Sequence, residues 1–429
     1  MSIETLLRGI TPSVARTLDR ALSGQALSDD EAIALFSTTG RDLRALMMAA
    51  DEVRREVAGD DVTYIVNRNI NFTNVCVKTC KFCAFSRDLR SEQGYFLPVE
   101  EILSRVGQAA EYGATEVCVQ AGLAPAVDGS HYVELTRAMK ATYPEVHIHA
   151  FSPEEVKYGA QRSRLSFREF LTQLRDAGLG SLPGTSAEIL DDTLRDTISP
   201  TRIRSQEWVD ILTTAHELGI PTTATMMFGH AETIEQRVLH MGKIREIQRK
   251  TGGFTEFVPL SFVHADSPLF STNEDGSVMP GPSGNDIVRL YAIARLYLGR
   301  DIKNLQASWV KEGGRMAQLL LDSGVNDLGG TLMNESISTA AGAANGQLMT
   351  PSALRRLIRD AGRVPVQRGT LYQTLRRFDD PSQDPAELLD GVIDVDGTFG
   401  SYKGLAQSDA HRFAWKPRSE RDKELVGGL

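Results

Sequence analysis

Cysteine is scarce in this chain, four in 429 residues. That excludes the disulfide-dense scaffold with which small secreted domains make up for a thin core. Long apolar runs are missing too, and none approaches the roughly 20 residues that span a bilayer. Residues 1–24 intersperse Glu4, Arg8, Arg16, Asp19 and Arg20 among the apolar side chains, which is not the pattern of a secretory signal. There is no surplus of positive charge: the formal net charge is −9, which argues against a sequence-independent nucleic-acid surface. Low-complexity repeats are absent. What these absences leave is a globular chain long enough for a large core, expected in a reducing cytoplasm, with no membrane and no nucleic acid as partner.

The cysteine that is present is clustered. Cys76, Cys80 and Cys83 are separated by three and then two intervening residues, just after a run, 63–73, that reads as a strand. Three thiolates on one short loop can hold a single metal centre. A structural zinc site asks for a second cysteine or histidine pair, and none follows. A disulfide leaves one of the three unpaired and needs an oxidising compartment. The ligand arithmetic favours a 4Fe–4S cluster tied by three cysteines with one iron left open, over zinc or inert thiols. The fourth cysteine, Cys118, sits between Val117 and Val119 and reads as a small buried hydrophobe.

Residues 1–60 form a helical segment by pattern. Leu6, Leu7, Val14 and Leu18 recur at helical spacing, and 42–57 puts Leu43, Leu46, Met47, Ala50 and Val53 on one face. From residue 61 the period changes. Strands are expected at 63–73, 115–122, 145–151, 180–185, 220–229, 254–263, 302–309 and 324–332. Helices are expected between them at 98–112, 132–142, 167–177, 206–218, 234–250, 287–298 and 313–321. Eight such repeats predict an α/β fold, a (β/α)8 TIM-type barrel over 61–340, with a doubly wound open sheet as the alternative. The Gly-, Pro- and Ser-rich stretch 267–285 is a long loop. Residues 341–429 add one helix at 351–361 and an irregular tail packed on the barrel, polar at 379–382 and 416–423.

Active sites of such barrels lie at the C-terminal ends of the strands. The second strand ends in Gln120-Ala-Gly122, where the glycine permits close backbone approach. The third ends in His147-Ile-His149-Ala-Phe-Ser152, and alternation puts both histidines on one face, with His149 suited to acid–base work or to a carboxylate. After the fourth, Thr185 or Ser186 can cap the next helix and Glu188 falls in its first turn. The fifth ends in Gly229-His230-Ala-Glu232, a glycine on which a flat base can pack and two polar groups at the barrel mouth. Glu256, His264, Asn334 and Glu335 are further substrate-pocket candidates.

The triplet, with aromatic Phe82 before its third cysteine, resembles the signature of the radical S-adenosylmethionine (SAM) superfamily. The resemblance implies that Cys76, Cys80 and Cys83 ligate the cluster, that SAM occupies its open iron, and that reductive cleavage yields a 5′-deoxyadenosyl radical. It implies cofactor contacts from Phe82, Gln120, Gly122, Ser152, Glu188 and Gly229, with His149, His230 and Glu232 as catalytic candidates. Ala121 stands where a second glycine is expected, a small departure at the contact with the SAM amino group.

Longer runs, 66–76, 147–155, 183–188, 223–230, 252–259, 330–338 and 367–372, are similar to the FO synthase subunit 2 family over roughly 50–375. This implies transfer of the 4-hydroxybenzyl group of L-tyrosine to 5-amino-6-(D-ribitylamino)uracil, on the route to the deazaflavin FO and coenzyme F(420). It implies radical attack at the tyrosine amino group, Cα–Cβ scission and release of 2-iminoacetate. Fused FO synthases carry two triplets and this chain one, so a separate FO synthase subunit 1 is expected to act on the product. A ferredoxin or flavodoxin is the expected electron donor. The futalosine-route menaquinone enzymes and tyrosine lyases share barrel and triplet and remain alternatives. So do, outside enzymes, an iron–sulfur electron carrier and a zinc-stabilised binding module.

Overall fold

The structure, a computed structural model, describes residues 9–414. The helical spacing read at Leu6 and Leu7 and the polar stretch 416–423 lie outside the described residues.

Short parallel strands close into a ring. β1 (Asp61–Ile65) and β2 (Asn67–Ile70) follow one path interrupted at Val66. β3 (Glu116–Val119) and β4 (His147–Ala150) extend it in register, with Asn69 opposite Cys118 and Cys118 opposite His149. Two single bridges, His149 with Ser181 and Leu182 with Thr222, carry the path to β5 (Thr222–Phe228). β6 (Phe254–Ser261) and β7 (Asn304–Leu305) follow in parallel. Gln306 bridges Asp327 at the start of β8 (Asp327–Gly330), and β8 returns to β1 through Thr63–Asp327 and Ile65–Gly330. That last pairing closes a (β/α)8 barrel and disposes of the open sheet, whose two edges never meet.

The expected strand 180–185 is reduced to bridges at Ser181 and Leu182, and 302–309 to two residues. Helices Pro153–Ser163 and Asp192–Ile198 are additions to the expected set. The first of them is opened by a capping box in which Ser152 and Glu155 exchange hydrogen bonds, with proline in its first turn. The loop 267–285 holds one short helix, Pro268–Ser271.

Helix Gly284–Leu298 is apolar nearly all round, and its residues from Ile287 to Leu298 are buried apart from Arg289. Such a helix must be covered on both sides. The barrel covers one side, and helix Gly40–Ala58, with Leu43, Leu46, Ala50 and Val53 inward, covers the other. The one long cation buried in it, Arg295, is fully used: it donates to the carbonyls of Gly324 at 2.6 Å and Lys303 at 2.8 Å and to Asn326 Oδ1 at 2.7 Å.

The C-terminal region is more ordered than its sequence suggests. After helix Pro351–Asp360, β9 (Val364–Arg368) adds in parallel to the free edge of β1, and β10 (Thr374–Arg377) turns back on β9. A covered edge removes a row of unpaired backbone groups. The turn between them sends Tyr372 back beneath the barrel, where its hydroxyl donates to Glu256. Among the described residues no helix is long and apolar enough to cross a membrane.

Candidate active site

The cysteine loop leaves β2 and is pinned along its length by backbone hydrogen bonds. Cys76 N–H donates to Arg87 C=O at 3.0 Å, Arg87 N–H to Asn74 C=O at 2.8 Å, and Val77 N–H to Leu123 C=O at 3.0 Å. Lys81 N–H reaches Ile198 C=O at 3.0 Å. Gly122 fits under the loop: an added Cβ would stand 2.4 Å from Val75 O and 2.9 Å from Val75 C. The close approach expected of this glycine is therefore to the cysteine loop itself.

Cys76, Cys80 and Cys83 line one wall of a cavity of about 250 Å³. Phe82, Gln120, Gly122, Ser152 and Glu188 line it as well. Burial pushes the Cys76 thiol up, and that of Cys80 up to about 12, and each is raised further by the others' charge. As free thiols Cys76 and Cys80 would stay neutral, so holding them as thiolates calls for a positive centre. The donor set fits a cluster: soft sulfur ligands suit iron–sulfur centres. Among the described residues no three His, Cys, Asp or Glu side chains converge on the spacing of a single ion, a spacing that one thiolate per iron does not require.

Beside the thiols is a polar wall of which the sequence pointed to Ser152 and Glu188 but not to Glu155, Arg195 or Arg202. Arg202 pairs with Glu188 Oε1 at 3.0 Å, and Arg195 with Glu188 Oε2 at 3.2 Å. The Arg202 guanidinium lies 5.7 Å from the Phe82 ring centroid. Its buried Nε finds no hydrogen-bond partner among the described residues, with Glu154 Oε2 at 3.6 Å. Glu155 accepts from Ser152 N–H at 2.8 Å, Ser152 Oγ at 2.6 Å and Ala121 N–H at 3.0 Å. Burial still pushes its carboxyl up to about 7.

The barrel interior holds a second cavity of about 260 Å³ that shares lining residues with the first. Asn67, Asn69 and Asn71 face it at period two, with Glu116, Cys118 and Gln120 on the next strand. Cys118 is thus a cavity-wall thiol and not an apolar core residue. Its sulfur accepts from Gln120 Nε2 at 3.4 Å, and burial pushes its pKa up. His149 is here and not beside the cysteines. Its Nδ1 is 2.7 Å from Ser181 Oγ, which is also 2.8 Å from His147 Nε2, and burial pulls His149 down to about 4. The floor is Arg368, paired with Asp327 at 2.5 Å and stacked 4.0 Å from the Tyr372 ring centroid. Glu256 beside it is pushed up to about 7 by burial.

Five expected site residues line neither cavity: Gly229, His230, Glu232, His264 and Asn334. Glu232 accepts the N–H groups of Gly229 at 2.6 Å and His230 at 2.9 Å, and pairs with Arg237 at 2.7 Å. His230 is fully buried, with Nε2 3.1 Å from Met227 C=O. Gly229, at φ +85°, packs against Pro282 and leaves no exposed shelf for a base. Together Gly229, His230 and Glu232 fasten the turn after β5. Nor do Thr185 and Ser186 cap a helix: helix Asp192–Ile198 is capped by Asp191, Thr185 Oγ1 donates to Gln120 Oε1 at 2.8 Å, and Glu188 faces arginines. His264 packs on Phe270 instead of in a cavity wall, and Asn334 Nδ2 is spent on the carbonyls of Phe399 and Gly400.

The radical SAM superfamily pattern matches residues 70–244, and the CofH/MqnC C-terminal region matches 251–380. The 5-amino-6-(D-ribitylamino)uracil–L-tyrosine 4-hydroxyphenyl transferase of Methanothermobacter thermautotrophicus is 51% identical over 84% of this chain and 97% of that protein. The protein of the same name from Archaeoglobus fulgidus is 50% identical over 76% of this chain and 92% of its own length. The FO synthase of Mycobacterium tuberculosis is 46% identical over 84% of this chain, which is 42% of that longer protein. Among solved structures, methylornithine synthase superposes with a TM-score of 0.61 at 20% identity, over 81% of this chain and 97% of that chain. The FeFe-hydrogenase maturase HydG of Carboxydothermus hydrogenoformans gives 0.63 at 15% identity, over 84% and 80%, and both share the fold. The chain belongs to the radical SAM superfamily and, within it, to the family of the 5-amino-6-(D-ribitylamino)uracil–L-tyrosine 4-hydroxyphenyl transferases.

Proposed function

We propose that this chain transfers the 4-hydroxybenzyl group of L-tyrosine to 5-amino-6-(D-ribitylamino)uracil, releasing 2-iminoacetate, in FO biosynthesis. One observation carries the reading beyond family membership. The cavity lined by Cys76, Cys80 and Cys83 shares six lining residues with the barrel-interior cavity, so a reactive species made at the first would meet a substrate held in the second. Cys76, Cys80 and Cys83 would hold a 4Fe–4S cluster, which with SAM bound in this cavity would supply the 5′-deoxyadenosyl radical.

The residues around it orient and enclose. Arg202, fixed by Glu188, lays a cation against Phe82 beside the thiolates and offers its unmatched Nε to a polar ligand. Glu155 braces the Gln120–Gly122 turn through Ala121 N–H, and Ser152 caps the helix that carries Glu155. Gln120 spans the junction, holding Thr185 with its carbonyl oxygen and Cys118 with its amide. The period-two asparagines and Gln306 provide both donors and acceptors, which suits a pyrimidine with a polyhydroxylated chain. His149, kept neutral at physiological pH by burial and hydrogen-bonded to Ser181, is placed to accept a proton from substrate in this cavity.

A separate FO synthase subunit 1 then acts on the product, and a ferredoxin or flavodoxin supplies the electron. The test is the mass of the product formed anaerobically from ring-labelled tyrosine, SAM, a reductant and the aminouracil. The expected product retains the labelled ring joined to the pyrimidine. Label recovered only as free p-cresol, or no tyrosine consumed, rejects this reading in favour of a lyase or a futalosine-route enzyme.

A further inference from the structure

Six residues line both cavities and so form the ring between them: Gln120, Thr185, Thr225, Leu260, Lys311 and Ile337. Lys311 is the only charge among them. Its ammonium forms no ion pair and no side-chain hydrogen bond among the described residues, although it lies in the fields of Glu335, Glu312 and Cys83. Both carboxylates are committed elsewhere. Glu312 accepts from Ser261 Oγ at 2.6 Å, and Glu335 accepts from Ser338 N–H at 2.7 Å and from Asn69 Nδ2. The other cations on these walls are matched: Lys78 with Glu154, Arg202 with Glu188, Arg368 with Asp327. A half-buried cation without a counter-ion is costly, and burial accordingly pulls Lys311 below the ordinary lysine value. A position so unfavourable in the free protein is suited to an anion that arrives with a ligand.

We propose that Lys311 binds the α-carboxylate of the amino-acid substrate and so sets its amino group at the junction of the two cavities. The assignment rests on the functional reading above, in which the amino group is the point of radical attack. In an α-amino acid the carboxylate carbon lies about 2.5 Å from the amino nitrogen, as follows from the N–Cα and Cα–C bond lengths. An amino group at the junction therefore brings its carboxylate to the junction too, where Lys311 is the one unmatched cation among the described residues. The phenol ring is left to extend into the interior cavity, toward the second substrate.

The test is equilibrium binding of L-tyrosine and of tyramine, which lacks the carboxylate, to cluster- and SAM-loaded wild type, Lys311→Met and Lys311→Arg. Cluster content and the SAM-induced spectral change are recorded for each. Wild type is expected to prefer tyrosine to tyramine by about 100-fold, the usual order for one enclosed charge pair. Lys311→Met is expected to lose about 100-fold in tyrosine affinity, with tyramine affinity and the SAM-induced spectrum unchanged, and Lys311→Arg to recover most of the preference. Equal weakening of both ligands, or an unchanged tyrosine affinity, overturns the assignment. So does loss of cluster or of the SAM response with the tyrosine preference intact, which would make Lys311 a counter-ion of the cluster. If wild type binds tyrosine and the variants match it, only Lys311 is rejected; if wild type binds no tyrosine, the functional reading falls and takes this assignment with it.

Discussion

Replacing Gly122 by alanine puts one carbon where the backbone of the cysteine loop already is. The added Cβ would stand 2.4 Å from Val75 O, 2.9 Å from Val75 C and 3.1 Å from Asn74 C. An ordinary C···O contact is about 3.3 Å, so the two segments must part by about 0.9 Å. No flexible side chain can absorb this, because every atom met is main chain. The loop is also held on the other side by Arg87 and by the Gly122 N–H bond to Thr73 C=O at 2.8 Å. Overpacking of this kind costs about 1–3 kcal/mol. The displacement falls one residue before Cys76, and a misplacement of about 1 Å at a reacting centre costs about 100-fold in rate. Gly122→Ala should therefore unfold at lower denaturant by that free energy, and should form deoxyadenosine about 100-fold more slowly per cluster bound. Denaturant titration of the apo-protein and anaerobic assay of the reconstituted enzyme measure the two effects. Wild-type stability together with wild-type turnover would refute the packing argument.

Alanine at Cys76, Cys80 or Cys83 should each abolish iron binding and deoxyadenosine formation, while Cys118→Ala should keep its iron and cost on the order of 1 kcal/mol; iron analysis of the four variants decides. Glu312 carries a carboxyl raised from 4.5 to about 7 by burial, so its proton stabilises the fold at low pH and that contribution is lost as pH rises through about 7. Glu312→Gln keeps the acceptor for Ser261 but cannot titrate, so wild type should lose at most about 2 kcal/mol relative to it between pH 5.5 and 8, read by urea unfolding of the apo-protein; parallel pH profiles would contradict this. Arg295→Met leaves Gly324 C=O, Lys303 C=O and Asn326 Oδ1 without their donor inside the most buried helix, and should cost about 3–5 kcal/mol in the same measurement.

The barrel was legible because its strands and helices alternate with different periods, and because the thiol trio announces its chemistry by spacing alone. The interior cavity was legible as well, through a rule applied too narrowly. Strand alternation places Glu116, Cys118 and Gln120 inward and Val117 and Val119 outward, yet the flanking valines made Cys118 look like core. The asparagines at 67, 69 and 71 carry the same period-two signal. Other misses had no local signal. Arg202 lies more than a hundred residues from the cysteines and meets them only because two loops converge at one barrel mouth. His230 and Glu232 stand at a strand end, as a reactive pair would, but the chain curls there so that Glu232 binds its own turn and Arg237. Turn geometry of that kind depends on the long-range packing of Gly229 against Pro282 and is not written in the local run.

The central claim is that three thiolates create a SAM-cleaving centre whose radical is spent on tyrosine in the adjoining cavity. It is tested most directly by quantifying 5′-deoxyadenosine in anaerobic single turnovers of the reconstituted protein, with and without tyrosine and the aminouracil. The account predicts deoxyadenosine that depends on tyrosine and matches the tyrosine–pyrimidine adduct one for one when both substrates are present. Deoxyadenosine formed at the same rate and amount without tyrosine, or a fully active protein with no iron at Cys76, Cys80 and Cys83, would contradict it.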